Sequence, residues 1–221
     1  MQEVERFRPS TRWLHWTVTL SALVLALTGI LLWVQPWGAA TMDGWSRLVH
    51  RIAAVVFMGA PLVYGIFNWN ISWKFIKEAF TWGKEDMKWL EAAPDYYFGG
   101  EESKMPPQGH INTGQKLYQL VTVLCSAIFF ITGLIMWFFR DLVGPGVFAW
   151  ATIAHDVAFI LGGSMLLVHV YLGAIHPRMT ESLRSMLTGK ASVAYVKSHH
   201  AKWYDEQVAK ATPPQQRVKA D

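Results

Sequence analysis

Four long apolar stretches, separated by polar segments, dominate the chain. Each has the roughly 20 residues that a helix needs to cross about 30 Å of hydrocarbon. They lie at about residues 14–34, 48–67, 117–139 and 150–174. The pattern therefore predicts an all-α fold, an integral membrane four-helix bundle.

The polar segment between the second and third stretches covers residues 70–116. Its first half mixes large apolar residues with lysines, which is typical of an amphipathic interfacial helix in the headgroup layer. These residues are Trp73, Ile76, Phe80, Met87 and Leu90 among Lys74, Lys77, Lys84 and Lys88. Prolines and glycines predict a loop over residues 94–109, and residues 177–188 are expected to form a short helix at the start of a polar tail, 177–221. We take residues 1–221 as a single membrane domain.

Composition narrows the class of protein. Hydrophobic residues make up 52% of the chain and charged residues 16%, which is too apolar for an ordinary soluble domain. The net charge of +4 does not indicate nucleic-acid binding, because lysines and arginines alternate with acidic residues in the polar segments. Cys125 is the single cysteine, which excludes a disulfide framework, covalent haem attachment and a cysteine-held iron–sulfur cluster. Residues 1–12 lack the features of a cleavable signal, so we expect the first apolar stretch to be retained.

The distribution of positive charge predicts the orientation. Three of the 20 lysines and arginines precede the first stretch, six lie between the second and third, and eight follow the fourth. Cytoplasmic segments carry an excess of lysine and arginine. We therefore expect a multi-pass protein of the bacterial inner membrane with both termini, including the C-terminal segment, and the long connection in the cytoplasm.

Four histidines lie in the apolar stretches or at their ends, where ionisable groups are costly and call for a function. His155 and His169 are 14 residues apart, which on a helix is about 21 Å and within about 40° of the same face. One helix thus presents an imidazole near each leaflet. Two axial histidines on one iron form a six-coordinate electron carrier with no open site for oxygen.

Depth in the bilayer predicts which two histidines bind the same haem iron. His15 begins the first stretch on the cytoplasmic side and pairs with His169 on an inner haem. His50 begins the second stretch on the outer side and pairs with His155 on an outer haem. Gly29 is 14 residues after His15, on the same face and at the depth of the outer haem, where a missing side chain admits a flat macrocycle. The sequence thus predicts two b-type haems.

Other interpretations of these histidines stay open at this point. Each imidazole alone is compatible with a polar residue satisfied by a neighbouring helix, and the whole chain with a haem-free membrane anchor. A small transporter would use His155, Asp156 and His169 as a proton path. Four further histidines lie outside the stretches and are expected to be solvated or interfacial: His110, His176, His199 and His200.

Several short motifs carry a more specific resemblance. They are R-x-x-H-W at residues 12–16, W-S-R-L-V-H at 45–50, N-T-G-Q-K at 112–116 and K-S-H-H-A-K-W-Y at 197–204. Together, over residues 6–207, the chain resembles the gamma subunit of membrane-bound formate dehydrogenase, a dihaem cytochrome b. The histidines alone would match the wider group that includes the cytochrome b subunits of hydrogenase and thiosulfate reductase. The family pattern differs at Thr113, where a small residue is usual, and at Ala201, where proline is usual.

The resemblance implies a respiratory complex. A molybdenum or tungsten alpha subunit would oxidise formate outside the membrane, so no catalytic formate site is expected on this chain. An iron–sulfur beta subunit would pass electrons to the outer haem, and quinone would be reduced near the cytoplasmic face. By motif match the quinone pocket would involve Asn112, Gly114 and Gln115, close to His169. On spacing alone, the same N-T-G-Q segment is equally a helix start with Asn112 as its cap.

Overall fold

The computed structural model describes residues 2–34, 44–101 and 104–211. The last residues of the predicted polar tail, 212–221, lie outside the described residues. In chain order the elements are β1 Glu3–Glu5, α1 Pro9–Trp33, α2 Trp45–Phe67, α3 Trp69–Ala79, α4 Lys84–Tyr97, α5 Thr113–Phe138, α6 Pro145–Val170, a π-helical turn Tyr171–Ile175, a 3-10 turn Pro177–Met179, α7 Thr180–Thr188, β2 Lys190–Ser192, α8 Val193–His199 and α9 Ala201–Ala211.

Four of the described helices, α1, α2, α5 and α6, are long and apolar enough to span a membrane, which confirms the predicted architecture. Each begins three to five residues before the predicted apolar stretch. Two of these starts follow from proline, since Pro9 and Pro145 occupy the first turn, where the missing N–H costs nothing. The outward faces are apolar and exposed, as at Leu27, Phe67 and Leu167, which suits contact with lipid. That residues 1–221 act as one domain stays a prediction.

The spans form two helical hairpins. α1 packs along α2, and α5 packs along α6, whereas helices of different hairpins rarely bring their Cα atoms within 8 Å of each other. A four-helix bundle packed only by side chains holds its helix axes 8–10 Å apart throughout. The hairpins therefore leave room between them for more than side chains.

The amphipathic segment is helical as predicted, but it forms two helices, α3 and α4, with a break at residues 80–83. The prediction of a loop from residue 94 is wrong for residues 94–97, because α4 continues through Pro94 to Tyr97. Proline removes one hydrogen bond to the preceding turn. Burial of Tyr96, only 3% exposed, favours the helix there despite that loss.

The polar segments assemble on one side of the spans into a unit that we call the polar cap: residues 2–8, 69–101, 104–112 and 177–208. β1 and β2 pair antiparallel, with Val4 opposite Ala191. Ala191, Val196 and Trp203 form a small buried core at the C-terminal end of this cap. Residues 2–8, residues 177–208 and the described part of the long connection thus share one side, as the charge count predicts; the assignment of this side to the cytoplasm stays a prediction.

Candidate functional site

The histidines of the first and fourth spans face each other across the gap between the hairpins. His15 lies in the second turn of α1 and His169 in the last turn of α6, both next to the polar cap. Their ring centres are 6.2 Å apart, and the ring planes are inclined by 51°. We call these two residues the cap-side pair.

That separation has a chemical meaning. An imidazole nitrogen lies about 2 Å from a bound transition metal, and the ring centre lies about 1 Å further out. Two axial imidazoles on one iron therefore have centres about 6 Å apart. Two directly hydrogen-bonded or stacked imidazoles would be closer, so the cap-side pair has the spacing of axial ligands.

The second pair, which we call the distal pair, consists of His50 on α2 and His155 on α6. The two side chains are close enough to interact electrostatically. Each Nδ1 lies within hydrogen-bonding distance of a threonine Oγ1: Thr28 is 2.8 Å from His50, and Thr132 is 2.9 Å from His155. These contacts leave the Nε2 atom of each ring as the nitrogen available to a metal.

The distances along the spans agree between the two hairpins. Thr28, which contacts His50, follows His15 by 13 residues on α1, about 20 Å of helix. His155 precedes His169 by 14 residues on α6, about 21 Å. The distal pair therefore lies about 20 Å from the cap-side pair, near the other end of the spans. The structure thus brings together the histidines that depth in the bilayer pairs. Their role as haem ligands stays a prediction.

Gly29 lies against the distal pair. A Cβ atom added there would be 3.6 Å from Cε1 of His50, an ordinary contact, and would meet no other described atom within 4 Å. The backbone of α1 is thus bare beside this imidazole. The position suits the predicted close approach of a macrocycle.

These residues fit haem b. Buried polar atoms normally have a partner, yet Nδ1 of His15 is buried and unpartnered among the described atoms. Within the described ranges, no three or more His, Cys, Asp or Glu residues come together as a metal-chelating group. The imidazoles occur instead in pairs, His15 with His169 and His50 with His155, which is the donor set for axial ligation of a metal already held by a macrocycle.

The predicted quinone segment forms the start of α5. Asn112 Oδ1 accepts a hydrogen bond from the Gln115 N–H at 2.8 Å, and Gln115 Oε1 accepts one from the Asn112 N–H at 2.9 Å. This is a reciprocal capping box, so the helix-start interpretation is correct. Each amide uses only its oxygen in the cap. The NH₂ groups stay available to donate to a carbonyl oxygen, so the cap does not exclude the predicted quinone role.

Gly114 also has a packing role that the sequence did not reveal. A Cβ atom at this position would lie 2.8 Å from Cη2 of Trp89, closer than real side-chain contacts allow. Trp89 is 5% exposed and anchors α4 on the start of α5. The glycine thus lets the amphipathic helix approach the span.

Tyr118 connects this segment to the cap-side pair. It lies one turn after Gly114 on α5, and its ring stacks on His169 with centres 4.2 Å apart and planes inclined by 6°. Two residues after His169 the backbone changes to a π-helical turn, a form that often marks functional sites. Neither feature could be predicted from the sequence, because an aromatic residue five positions after a helix start carries no specific signal.

A polar cavity of about 200 Å³ opens beside the start of α5, lined by Glu78, Asp86, Gln108, Asn112, Thr113 and Lys116 among others. Asp86 accepts hydrogen bonds from Lys116 Nζ at 2.8 Å and Thr113 Oγ1 at 2.9 Å. Burial would raise the pKa of Asp86, but these donors outweigh it and lower that pKa. Burial raises the pKa of Glu78. The cavity is thus lined by one carboxyl group with a raised pKa, Glu78, and one with a lowered pKa, Asp86, beside the predicted quinone segment.

The expectation that the remaining histidines are solvated or interfacial is wrong for His200 and His176. His200 is fully buried in the cap, and burial together with the Arg6 charge lowers its pKa to about 2. Its Nε2 is 2.6 Å from Arg6 Nη2, and its Nδ1 is 2.7 Å from the Gly109 carbonyl oxygen. His176 is 6% exposed and accepts a hydrogen bond from the Arg178 N–H. Both histidines therefore stabilise the fold of the cap.

The chain is similar to proteins of one membrane cytochrome family. The model of the prokaryotic cytochrome b561 family matches residues 6–189. The chain is 26% identical over 201 residues to the cytochrome b556(Fdn) subunit of the nitrate-inducible formate dehydrogenase of Escherichia coli, covering 87% of this chain and 86% of that one. It is 23% identical over 209 residues to the formate dehydrogenase cytochrome b556 subunit of Haemophilus influenzae, covering 92% and 83%.

The resemblance to the gamma subunit of formate dehydrogenase is thereby confirmed. The four apolar helices and the family together identify a bacterial inner-membrane protein that carries haem b. Since the family model covers most of the chain, this protein is a membrane cytochrome b of the prokaryotic cytochrome b561 family.

Proposed function

We propose that this chain is the cytochrome b subunit of a respiratory formate dehydrogenase and that it holds two b haems. The cap-side pair, His15 and His169, would hold one iron, and the distal pair, His50 and His155, the other. When bound, the two haems supply one-electron redox centres at different depths of the bilayer. The observation that carries the proposal is the 6.2 Å separation of His15 and His169 across two hairpins that otherwise stay apart.

The side chains around each pair favour electron transfer over oxygen chemistry. Two imidazoles on one iron leave no open position for a small ligand. Each pair joins one helix of one hairpin to α6 of the other, so iron ligation also fastens the hairpins together. Because α6 contributes to both pairs, it fixes the distance between the two sites.

The names of the relatives support the proposed partners. They are subunits of formate dehydrogenases, which supports an iron–sulfur beta subunit and a molybdenum or tungsten alpha subunit as partners of this chain. We infer that electrons arrive at the distal pair from the iron–sulfur subunit. The distal pair lies on the side away from the polar cap, and the charge count predicts that this side faces away from the cytoplasm.

Quinone is the proposed electron acceptor beside the cap-side pair. Tyr118, which stacks on His169, belongs to the same helix start as the capping box of Asn112 and Gln115. The amide groups of that box would donate to a quinone carbonyl. The polar cavity beside it would admit protons from the cap, and Glu78, whose pKa is raised by burial, is placed to hold one. Moving one electron across the full membrane potential, toward the cytoplasmic side, requires about 2.3 kcal/mol per 100 mV.

Substitution of the ligands tests the proposal. His50→Ala and His155→Ala should each remove one b-type component from a redox titration of the purified membrane complex, and the same one. His15→Ala and His169→Ala should each remove the other component and abolish quinone reduction. His199→Gln in the polar cap is the matched control and should keep both components.

The pairing would be contradicted if His15→Ala and His50→Ala removed the same component. A purified complex that contained a hydrogenase or thiosulfate reductase subunit in place of formate dehydrogenase would overturn the proposed partner and leave the haem sites standing.

A further inference from the structure

We propose that Thr28 and Thr132 are positioning residues that fix the tautomer and the rotation of the distal histidines. Each hydroxyl would accept a hydrogen bond from the Nδ1–H of an imidazole and so present Nε2, with its lone pair, to the iron. The inference rests on the proposed function, because it needs His50 and His155 to be haem ligands.

The direction of the two hydrogen bonds follows from counting hydrogens. A threonine hydroxyl has one hydrogen to donate and two lone pairs. Oγ1 of Thr28 lies 2.7 Å from the Val24 carbonyl oxygen, and Oγ1 of Thr132 lies 2.6 Å from that of Ile128. A carbonyl oxygen only accepts, so at these distances each hydroxyl has already given its hydrogen to its own helix.

The contact with the imidazole must then run the other way. With its hydrogen used, Thr28 Oγ1 can only accept from His50 Nδ1 at 2.8 Å, and Thr132 Oγ1 only from His155 Nδ1 at 2.9 Å. Both neutral imidazoles therefore carry their proton on Nδ1. A metal needs the unprotonated nitrogen, which is Nε2 in each ring.

The two threonines are equivalent in position. Thr28 on α1 acts on His50 of α2, and Thr132 on α5 acts on His155 of α6, so within each hairpin one helix carries the ligand and the other its acceptor. They are 8% and 5% exposed, so water does not compete for the bond. A hydrogen bond to the second nitrogen of a ligating imidazole orients the ring and raises its basicity.

Among the described residues, the histidines of the cap-side pair have no such hydrogen bond from Nδ1 to a threonine hydroxyl. Nδ1 of His15 is buried without a partner, and His169 is held by the stacked ring of Tyr118. The two haem sites of the proposed function thus differ in how their ligands are supported. A change at Thr28 or Thr132 should affect one haem and spare the other within the same molecule.

The experiment is a redox titration of the purified complex with Thr132→Val and Thr28→Val, together with EPR of the ferric haems. Valine keeps the branched shape and removes the acceptor, which lowers the basicity of the ligand and stabilises ferric iron less. The midpoint potential of the distal haem should rise, by about 59 mV for a tenfold change in the ferric-to-ferrous binding ratio. The potential of the cap-side haem should not change in either variant.

Two variants separate positioning from packing. Thr132→Ser restores the hydroxyl without the methyl group and should return the potential and the EPR signal toward those of the native protein. Ser21→Ala is the matched control on α1: Ser21 is buried and bonds back to the Thr17 carbonyl in the same way, but contacts no histidine in the described hydrogen bonds. It should leave both haems unchanged.

The outcomes distinguish the inference from the function. Loss of the distal haem in Thr132→Val with its retention in Thr132→Ser supports the inference, as does the predicted shift. Two haems with unchanged potentials and EPR signals in Thr132→Val, or a serine variant that behaves like valine, would overturn it while the proposed function stands. A native protein without two haems would overturn the proposed function itself.

Discussion

At the scale of single residues, histidine serves two opposite purposes in this protein. In the spans, the imidazoles of His15 and His169 face each other across a gap, and His50 and His155 each keep Nε2 available. In the cap, His200 uses both nitrogens: it accepts from Arg6 and donates to the Gly109 carbonyl. That bonding pattern needs a neutral ring with its proton on Nδ1. A second proton would put an N–H against the Arg6 guanidinium.

The buried His200 predicts an acid-sensitive cap. Its pKa falls from an ordinary value of 6.5 to about 2 in the folded protein. Between these values the unfolded chain binds more protons, so stability is complete above about pH 6.5 and decreases as the pH falls below it, by at most about 1.4 kcal/mol per pH unit. Arg6, His110 and His199 are the titratable or charged groups that act on it.

Thermal unfolding in detergent at a series of pH values measures this effect. His200→Asn keeps one acceptor for Arg6 and one donor for the Gly109 carbonyl but does not titrate. We expect the variant to lose less stability than the native protein between about pH 7 and pH 5. If the native protein and the variant lost the same stability per pH unit, His200 would not be the group responsible for the acid sensitivity.

The sequence predicted the residues that face each other but not those that support them. The 14-residue spacing of His155 and His169, together with depth, gave both pairs. Thr28 and Thr132 could not be predicted, because a threonine bonded back to its own helix has the same sequence signature whichever way it points. Its partner depends on how the neighbouring helix is rotated, which is set by packing.

At the scale of elements, the start of α5 combines several roles in a few residues. The N-T-G-Q segment caps the helix, Thr113 and Lys116 bind Asp86 of α4, and Gly114 admits Trp89. The amphipathic character of α3 and α4 could be predicted from residue type. The break between them and the docking of α4 on α5 could not, because both depend on contacts between segments distant in sequence.

The contact of Gly114 with Trp89 gives a prediction about the element. Gly114→Ala should lower the free energy of unfolding by about 1–3 kcal/mol, because the added methyl group overpacks the junction of α4 and α5. Gly59→Ala on α2 is the matched control: a Cβ atom there meets no described atom within 4 Å, so it should be neutral or slightly stabilising.

A second substitution isolates the cause. Trp89→Phe removes the ring atom that the new methyl group would meet, so Gly114→Ala should cost less in that background than in the native one. Thermal unfolding of the four proteins gives the coupling energy. If the two costs were simply additive, the glycine would be needed for a reason other than Trp89.

At the scale of the whole molecule, the arrangement is two hairpins, a polar cap on one side and two histidine pairs between the hairpins. The order of spans and the shared side of the polar segments could be read from hydropathy and charge. The gap could not, because apolar helices of this composition would equally form a close-packed bundle. A haem between the hairpins would fill this gap and supply the packing that the helices themselves do not provide.

The central claim is that this one chain holds two b haems, one at each pair. The most direct measurement is a pyridine haemochrome assay on the purified protein, normalised to protein by amino-acid analysis and repeated on His15→Ala and His50→Ala. The account predicts two haem b per native chain and one in each variant. A native protein with one haem or none, or variants that retained the native content, would contradict it.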